Sequence, residues 1–99
     1  MRDCVELAFG SPWFDTVDQE HIPIRISNSC GSELEVELEA ITPAGEKLQK
    51  FSLNIPPNSA REVEVVTELY LKKIIVKGKW REASGGEWFE IRGAEVTLR

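Results

Sequence analysis

Apolar and polar residues alternate with a period of two along most of the chain. Residues 33–40 show the pattern most clearly, because every second residue is apolar and each residue between is a glutamate. Strict alternation is typical of a β-strand that packs one face on a core and exposes the other to water. Such runs predict strands at residues 3–9, 22–28, 33–41, 47–55, 61–66, 70–81 and 88–98.

Turn-forming residues separate these runs, at positions 28–32, 42–45, 56–59 and 84–86. No segment repeats its apolar residues with the 3.6-residue period of a helix. The pattern therefore predicts an all-β fold: an immunoglobulin-like sandwich of about seven antiparallel strands in two sheets, forming a single domain over residues 1–99. Tyr70 stands where such sandwiches have a tyrosine corner.

The charges predict which strands pair. In a sandwich of this order the third predicted strand lies beside the sixth. The outward residues of the third strand are Glu33, Glu35, Glu37 and Glu39, and those of the sixth include Lys73, Lys77, Lys79 and Arg81. An acidic strand beside a basic one predicts a series of cross-strand ion pairs, each contributing a fraction of a kcal/mol.

The last two predicted strands form a hairpin. Pairing inward Trp80 with inward Phe89 sets its register and places Trp88 opposite Arg81, within reach of a cation–π contact. The apolar phase slips by one residue near Gly93, which predicts a β-bulge there.

Composition and charge narrow the function classes. Hydrophobic residues make up 41% and charged residues 29%, as in an ordinary soluble domain, and the net charge is −5. The acidic balance of residues 1–50 argues against a nucleic-acid partner, since phosphate contacts need a basic field. No apolar run is long enough for a membrane span. The start lacks a secretory signal, so we expect a cytoplasmic protein, or an extracellular one if the chain is a domain of a longer protein. Abundant Glu, Lys and Arg with only two Gln favour a thermophilic source.

Two segments carry a family resemblance. LNIPPNSAREVEV (Leu53–Val65) resembles a Pro-Pro hairpin of bacterial and archaeal immunoglobulin-like domains, in particular the cell-adhesion-related (CARDB-like) and transglutaminase-C-terminal-like groups. ISNSCGSELEVEL (Ile26–Leu38) is similar to the V-x-N-x-G segment that precedes their third strand. The resemblance covers roughly residues 22–82. It implies a binding, spacing or packing module and transfers no active-site residues.

The segment 10–23, GSPWFDTVDQEHIP, is interpreted as a loop between the first two predicted strands, longer than a hairpin needs. It holds four potential ligands for a divalent cation, namely Asp15, Asp18, Glu20 and His21. Their spacing matches no established metal loop, and the alternative is that the aspartates are turn residues.

Two sets of residues are candidates for recognition. Trp13, Phe14 and Asp15 could anchor a protein or a sugar, unless one ring plugs the end of the sandwich. Ile75, predicted opposite Ala94, would form a second contact surface with Arg81 and Trp88; the alternative is a salt-bridged solvent face.

The two cysteines, Cys4 and Cys30, lack metal-ligand spacing. Antiparallel pairing of the first two predicted strands would bring them close, although their alternation phases differ. The alternatives are a disulfide, which implies an oxidising compartment or a hyperthermophile cytosol, and two free thiols.

These observations predict a non-enzymatic protein-interaction or structural module that binds another protein or its own copy, without a cofactor. The one histidine, His21, has no evident nucleophile beside it, which argues against catalysis. The alternative function is a ligand-binding module, with carbohydrate or Ca²⁺ at residues 10–23.

Overall fold

The computed structural model describes residues 4–68 and 72–97. This part of the chain forms eight antiparallel strands: β1 (Val5–Phe9), β2 (Trp13–Phe14), β3 (Gln19–Asn28), β4 (Leu34–Ile41), β5 (Lys47–Ile55), β6 (Ser59–Glu68), β7 (Lys73–Glu82) and β8 (Phe89–Thr97). Within it, no helix is long and apolar enough to cross a membrane. The all-β, two-sheet prediction is confirmed. Tyr70 lies outside the described residues.

The strands form two four-stranded sheets. In the first, β3 pairs along its whole length with β6, and β1 and β2 pair with two successive parts of β3. Each strand has only two edges, so β1 and β2 share the edge opposite β6. The second sheet has the order β5-β4-β7-β8.

The inward faces of both sheets share one hydrophobic core, which makes the fold a two-layer sandwich. Ile22, Ile24 and Ile26 from β3 and Leu34 and Val36 from β4 are all 0% exposed. These are the positions that the period of two assigns to the inside.

Asn28 ends β3 inside the core. Its side-chain nitrogen lies within hydrogen-bonding distance of the carbonyl oxygens of Ser32 (2.9 Å), Ile55 (3.1 Å) and Pro56 (3.1 Å). Its side-chain oxygen accepts the Cys30 N–H at 2.9 Å. Asn28 therefore ties one end of β3 to the connection between β5 and β6, and it does so across both sheets.

The predicted pairing of the acidic and basic strands is confirmed. On the outer face of the second sheet, β4 and β7 pair so that Glu35 faces Arg81, Glu37 faces Lys79 and Glu39 faces Lys77. The shortest ion pair joins Arg81 Nε to Glu35 Oε1 at 2.7 Å. This face is largely self-neutralised.

The β7–β8 hairpin has the predicted register, with Trp80 opposite Phe89 and the two rings stacked 4.8 Å apart. The register shifts where β8 contains Gly93, which confirms the bulge. The predicted partner of Ile75 is wrong. Ile75 pairs with Glu95, because the extra residue of the bulge moves the register by one position.

Residues 10–23 do not form the long loop that the sequence predicted. Trp13 and Phe14 form the short strand β2, and β3 begins at Gln19, three residues before the predicted start. A turn of four residues joins them. The surplus length is therefore extra sheet, and it raises the number of strands from about seven to eight.

Cys4 and Cys30 form a disulfide with a Cα–Cα distance of 5.2 Å. The difference in alternation phase is no obstacle, because Cys4 precedes β1 and Cys30 follows β3. At these positions neither residue is bound by the alternation of a strand. The Ser29 N–H donates to the Cys4 carbonyl at 2.9 Å and holds the two chain segments together.

Candidate functional site

The β2–β3 hairpin carries the candidate site. β1 ends at Phe9, and the segment Gly10–Pro12 interrupts the edge because Pro12 has no N–H to donate to the ladder. Gly10 still donates its N–H to the Pro23 carbonyl at 2.9 Å. The chain therefore stays on the edge of β3 and resumes pairing with Trp13 opposite His21.

Asp15 builds the turn of this hairpin. Its Oδ1 accepts the backbone N–H groups of Val17 (2.9 Å) and Gln19 (3.0 Å). Asp18 takes a left-handed conformation with φ of 62°, which aspartate tolerates better than most residues. Both aspartates therefore lie in the turn, as in the alternative that treats them as turn residues.

His21 lies between two carboxylates. Its Nε2 is 2.6 Å from Asp15 Oδ2, and its Nδ1 is 2.7 Å from Glu64 Oε1 on β6. Ionised carboxylates only accept hydrogen bonds, so both contacts are satisfied together when both ring nitrogens donate, that is, when the ring is the protonated imidazolium.

The three charges adjust each other's acidity. The hydrogen bond to Asp15, followed by that to Glu64, raises the pKa of His21 above its usual value. The hydrogen bond to His21 is in turn the main cause that lowers the pKa of Asp15 and of Glu64. With both nitrogens donating, His21 has no lone pair with which to act as a general base.

Trp13 rests on this pair of ion pairs. Its ring stacks on the His21 ring with centroids 3.9 Å apart and planes inclined by 13°. Its Nε1–H donates to Glu64 Oε2 at 3.1 Å, so Glu64 binds both rings at once. We call Trp13, Asp15, His21 and Glu64 the histidine brace.

The hairpin that carries the brace exposes large apolar side chains to solvent. Trp13 is 46% exposed, Phe14 45% and Val17 71%. Of the large apolar side chains in residues 4–68 and 72–97, the only other one exposed to this degree is Phe89. Neither ring plugs the end of the sandwich.

The structure does not bring the four suggested metal ligands together. Asp15 and His21 are in contact, but Glu20 points to the opposite face of β3 and is fully buried. The described part of the chain has no group of three or more His, Cys, Asp or Glu arranged to hold a metal ion. Alternation along β3 puts Glu20 and His21 on opposite faces of the strand, so the four residues do not share one site.

Glu20 is itself unusual, because no described residue hydrogen-bonds to either of its carboxyl oxygens. A buried carboxyl group without partners loses its hydration and gains nothing in exchange. We expect Glu20→Met, which keeps the length of the side chain, to raise the free energy of unfolding by about 1–3 kcal/mol. Urea denaturation measures this.

The matched control for this prediction is Glu6→Met, at an exposed position on β1. It should change stability by no more than about 0.5 kcal/mol. A Glu20→Met protein less stable than the parent would show that the carboxyl group contributes to the fold.

The other recognition candidates lie on the second sheet, away from the hairpin. Trp88 is half-buried, with Lys79 Nζ 4.7 Å and the Arg81 guanidinium 4.4 Å from its ring centre. Ile75 is half-buried and pairs with Ile41 on β4. The predicted Arg81–Trp88 contact is present, but its members are already engaged with each other.

The sequence reasoning missed two residues of the site, Glu64 and Val17. Glu64 comes from β6, and only the pairing of Pro23 with Glu64 brings it beside His21. Its outward phase on a predicted strand was the available signal. Val17 was hidden in a segment interpreted as a loop.

No protein-family model matches the chain, and no curated protein matches its sequence. Among solved structures, a Northeast Structural Genomics Consortium target, SoR45, is similar, with 18% identity, a TM-score of 0.50 and coverage of 95% of this chain and 83% of that one. A second is DesR, a β-glucosidase from Streptomyces venezuelae in complex with D-glucose, with 10% identity, a TM-score of 0.49 and coverage of 96% of this chain and 15% of that one. At these identities the likeness concerns the fold alone.

Proposed function

We propose that the chain is a non-enzymatic, immunoglobulin-like interaction module that associates with a second copy of itself through the β2–β3 hairpin. One observation carries the proposal: three of the four most exposed large apolar side chains of the described residues are on this hairpin. Apolar groups clustered on a monomer's surface mark interaction sites.

The strand order supports the immunoglobulin-like part of the proposal. The third and sixth predicted strands are neighbours (β4 and β7), as in that architecture, and a three-strand path β1-β3-β6 packs on the order β5-β4-β7-β8. Asn28, the asparagine of the similar motif, ties the end of β3 to the connection between β5 and β6. The cell-adhesion-related relationship remains part of the proposal.

The surface beside the hairpin offers a recess for a second copy. A groove of about 300 Å³ lies beside it on the first sheet and reaches from the end of β1 across β3 to β6, lined by Ala8, Phe9, Gly10, Pro23, Arg25 and Glu62. Trp13 is only three residues beyond Gly10, on the β1–β2 edge of the same sheet. A second copy that seats the free face of its Trp13 in this groove, and offers its own groove in return, would form a two-fold, self-complementary contact.

The rigidity of the anchor supports the same interface. Trp13 is held on one face by His21 and at its nitrogen by Glu64, so docking its other face costs little side-chain entropy. On the second sheet, by contrast, Trp88 is already covered by two cations. The hairpin is therefore the better of the two surfaces.

The test is sedimentation velocity across protein concentrations from micromolar to about millimolar, the range of weak association. We expect a monomer–dimer equilibrium in which Trp13→Ser weakens the dimer about 30-fold or more, as loss of a central tryptophan anchor does. The matched control is Trp88→Ser, which should leave the equilibrium unchanged. A monomer at every concentration, or a dimer lost in Trp88→Ser and kept in Trp13→Ser, would overturn the proposal.

A carbohydrate ligand is the second candidate. The free face of the exposed Trp13 ring offers the apolar platform that a sugar ring needs. The shift of the Trp13 indole N–H signal on adding mono- and oligosaccharides tests it. Ca²⁺ is less well supported, since both oxygens of Asp15 already accept hydrogen bonds.

A further inference from the structure

The hydrogen bonds of the histidine brace depend on the protonation of His21. Each ring nitrogen of His21 faces its own carboxylate oxygen, at 2.6 and 2.7 Å, so only the protonated ring can donate to both. Loss of either proton leaves a nitrogen lone pair pointing at a carboxylate oxygen, and two acceptors at that distance repel each other.

Trp13 is coupled to the same proton. Its ring stacks on the imidazolium, so it loses a cationic partner when His21 becomes neutral. Its N–H donor shares Glu64 with His21, so any movement of the Glu64 carboxylate away from a neutral ring also disturbs the Trp13 hydrogen bond. Both contacts that hold Trp13 therefore depend on one protonation state.

We infer that protonation of His21 gates the hairpin, so that Trp13 is held in its docking position when His21 is charged and is released when His21 is neutral. This inference rests on the proposed function for its biological meaning. The movement of Trp13 itself is a property of the isolated chain and is independent of any partner.

Three described elements pack against the His21 ring. The turn contributes the carboxylate of Asp15 and β6 that of Glu64, whereas β2 contributes the uncharged Trp13. Further along the same face Arg25 pairs with Glu62 at 3.5 Å, so its charge is already engaged. The imidazolium is thus surrounded by two anions and no cation, which favours its charged form.

The direction of the pH dependence follows from these groups. The pKa of His21 is raised above 6.5 by its two carboxylate partners. The stability that the charged ring gives to the brace is therefore fully present below pH 6.5 and is lost as the pH rises through the raised pKa. The pKa values of Asp15 and Glu64 are lowered from 3.8 and 4.5, so their contribution is present above those values and is lost in stronger acid. The brace is therefore complete between about pH 4.5 and pH 6.5.

Nuclear magnetic resonance of the whole chain tests the gate. His21 is the only histidine, so its imidazole nitrogens report its pKa without ambiguity. The indole N–H signal of Trp13, assigned with Trp13→Phe, should move or broaden with the same midpoint, above pH 6.5. A His21 midpoint at or below 6.5, or a Trp13 signal that ignores the His21 titration, would overturn the inference.

Glu64→Gln is the decisive variant. Its amide can donate to a neutral His21 while its oxygen accepts from Trp13, so the brace survives loss of the proton. We expect a lower pKa for His21 and a Trp13 signal that stays in place above that pKa. Glu62→Gln, two residues away on the same face, should behave like the parent chain.

The dimer equilibrium separates this inference from the proposed function. A dimer that weakens as His21 loses its proton, but not in Glu64→Gln, supports both. If the chain is monomeric at every pH but the Trp13 signal titrates with His21, the inference about Trp13 is supported and the proposed self-association is contradicted. A dimer of constant strength across the His21 titration overturns the gate and keeps the proposed function.

Discussion

Gly78→Ala is expected to lower the free energy of unfolding by about 3 kcal/mol, the upper part of the range for an overpacked core. A Cβ at position 78 would overlap the carbonyl oxygen of Glu37 and lie 2.7 Å from Leu38 Cδ2. The first of these is backbone of β4, which pairs with β7 along its whole length and has no room to move aside. The strands would have to separate in the middle of the second sheet.

Urea denaturation followed by tryptophan fluorescence measures this loss as a lower midpoint at a similar slope. Gly31→Ala is the matched control, because a Cβ there meets nothing within 4 Å. It should change stability by no more than about 0.5 kcal/mol. Equal effects of the two substitutions would show that the close approach of β4 to Gly78 is not a feature of the folded chain.

Breaking the Cys4–Cys30 disulfide should lower the free energy of unfolding by a similar amount. The bridge spans a sequence separation of 26 residues, and closing a loop of that length stabilises a fold by about 3 kcal/mol in the chain-entropy account. The closed loop contains β1, β2 and β3, so the bridge fastens the edge strand β1 to the centre of the first sheet. We expect a reductant to lower the urea midpoint of the parent chain.

The double variant Cys4→Ala/Cys30→Ala separates the bond from the packing of its atoms. Cys4 is only 2% exposed, so alanine also removes core contacts and this variant should be less stable than the reduced parent. A reductant should have no effect on it. If the reductant leaves the midpoint of the parent chain unchanged, the bridge does not stabilise the fold.

The outer face of the second sheet could be predicted almost completely, and the β2–β3 hairpin could not. Apolar residues alternate with glutamates over residues 33–40, and the basic residues of β7 recur over residues 73–81, so alternation and charge both specify the pairing of these strands. β2 has only two residues, too few to show a period, and it sits between Pro12 and a turn. Local residue preferences thus favoured a loop, and pairing with β3 overrode them.

Glu20 is a second strand residue that could not be predicted from the sequence. The inward phase of Ile22, Ile24 and Ile26 extends back to Glu20, but the predicted strand began only at residue 22 and Glu20 was assigned to the preceding loop. The structure places it inside nevertheless, because β6 continues beside β3 as far as Gln19. The chemistry of one side chain did not outweigh the hydrogen bonds of the sheet.

What the sequence by itself determined is the face on which the residues of the seven predicted strands lie, since that depends only on the alternation of neighbouring residues. It also predicted the β7–β8 register between the turn and the bulge, the bulge at Gly93, and the closeness of the two cysteines. Only the tertiary structure decided that Glu64 meets His21, 43 residues away, and Trp13, 51 residues away. Those contacts depend on the register between β3 and β6 and on the return of the chain to the far edge of β3, which are set by packing of the whole sheet.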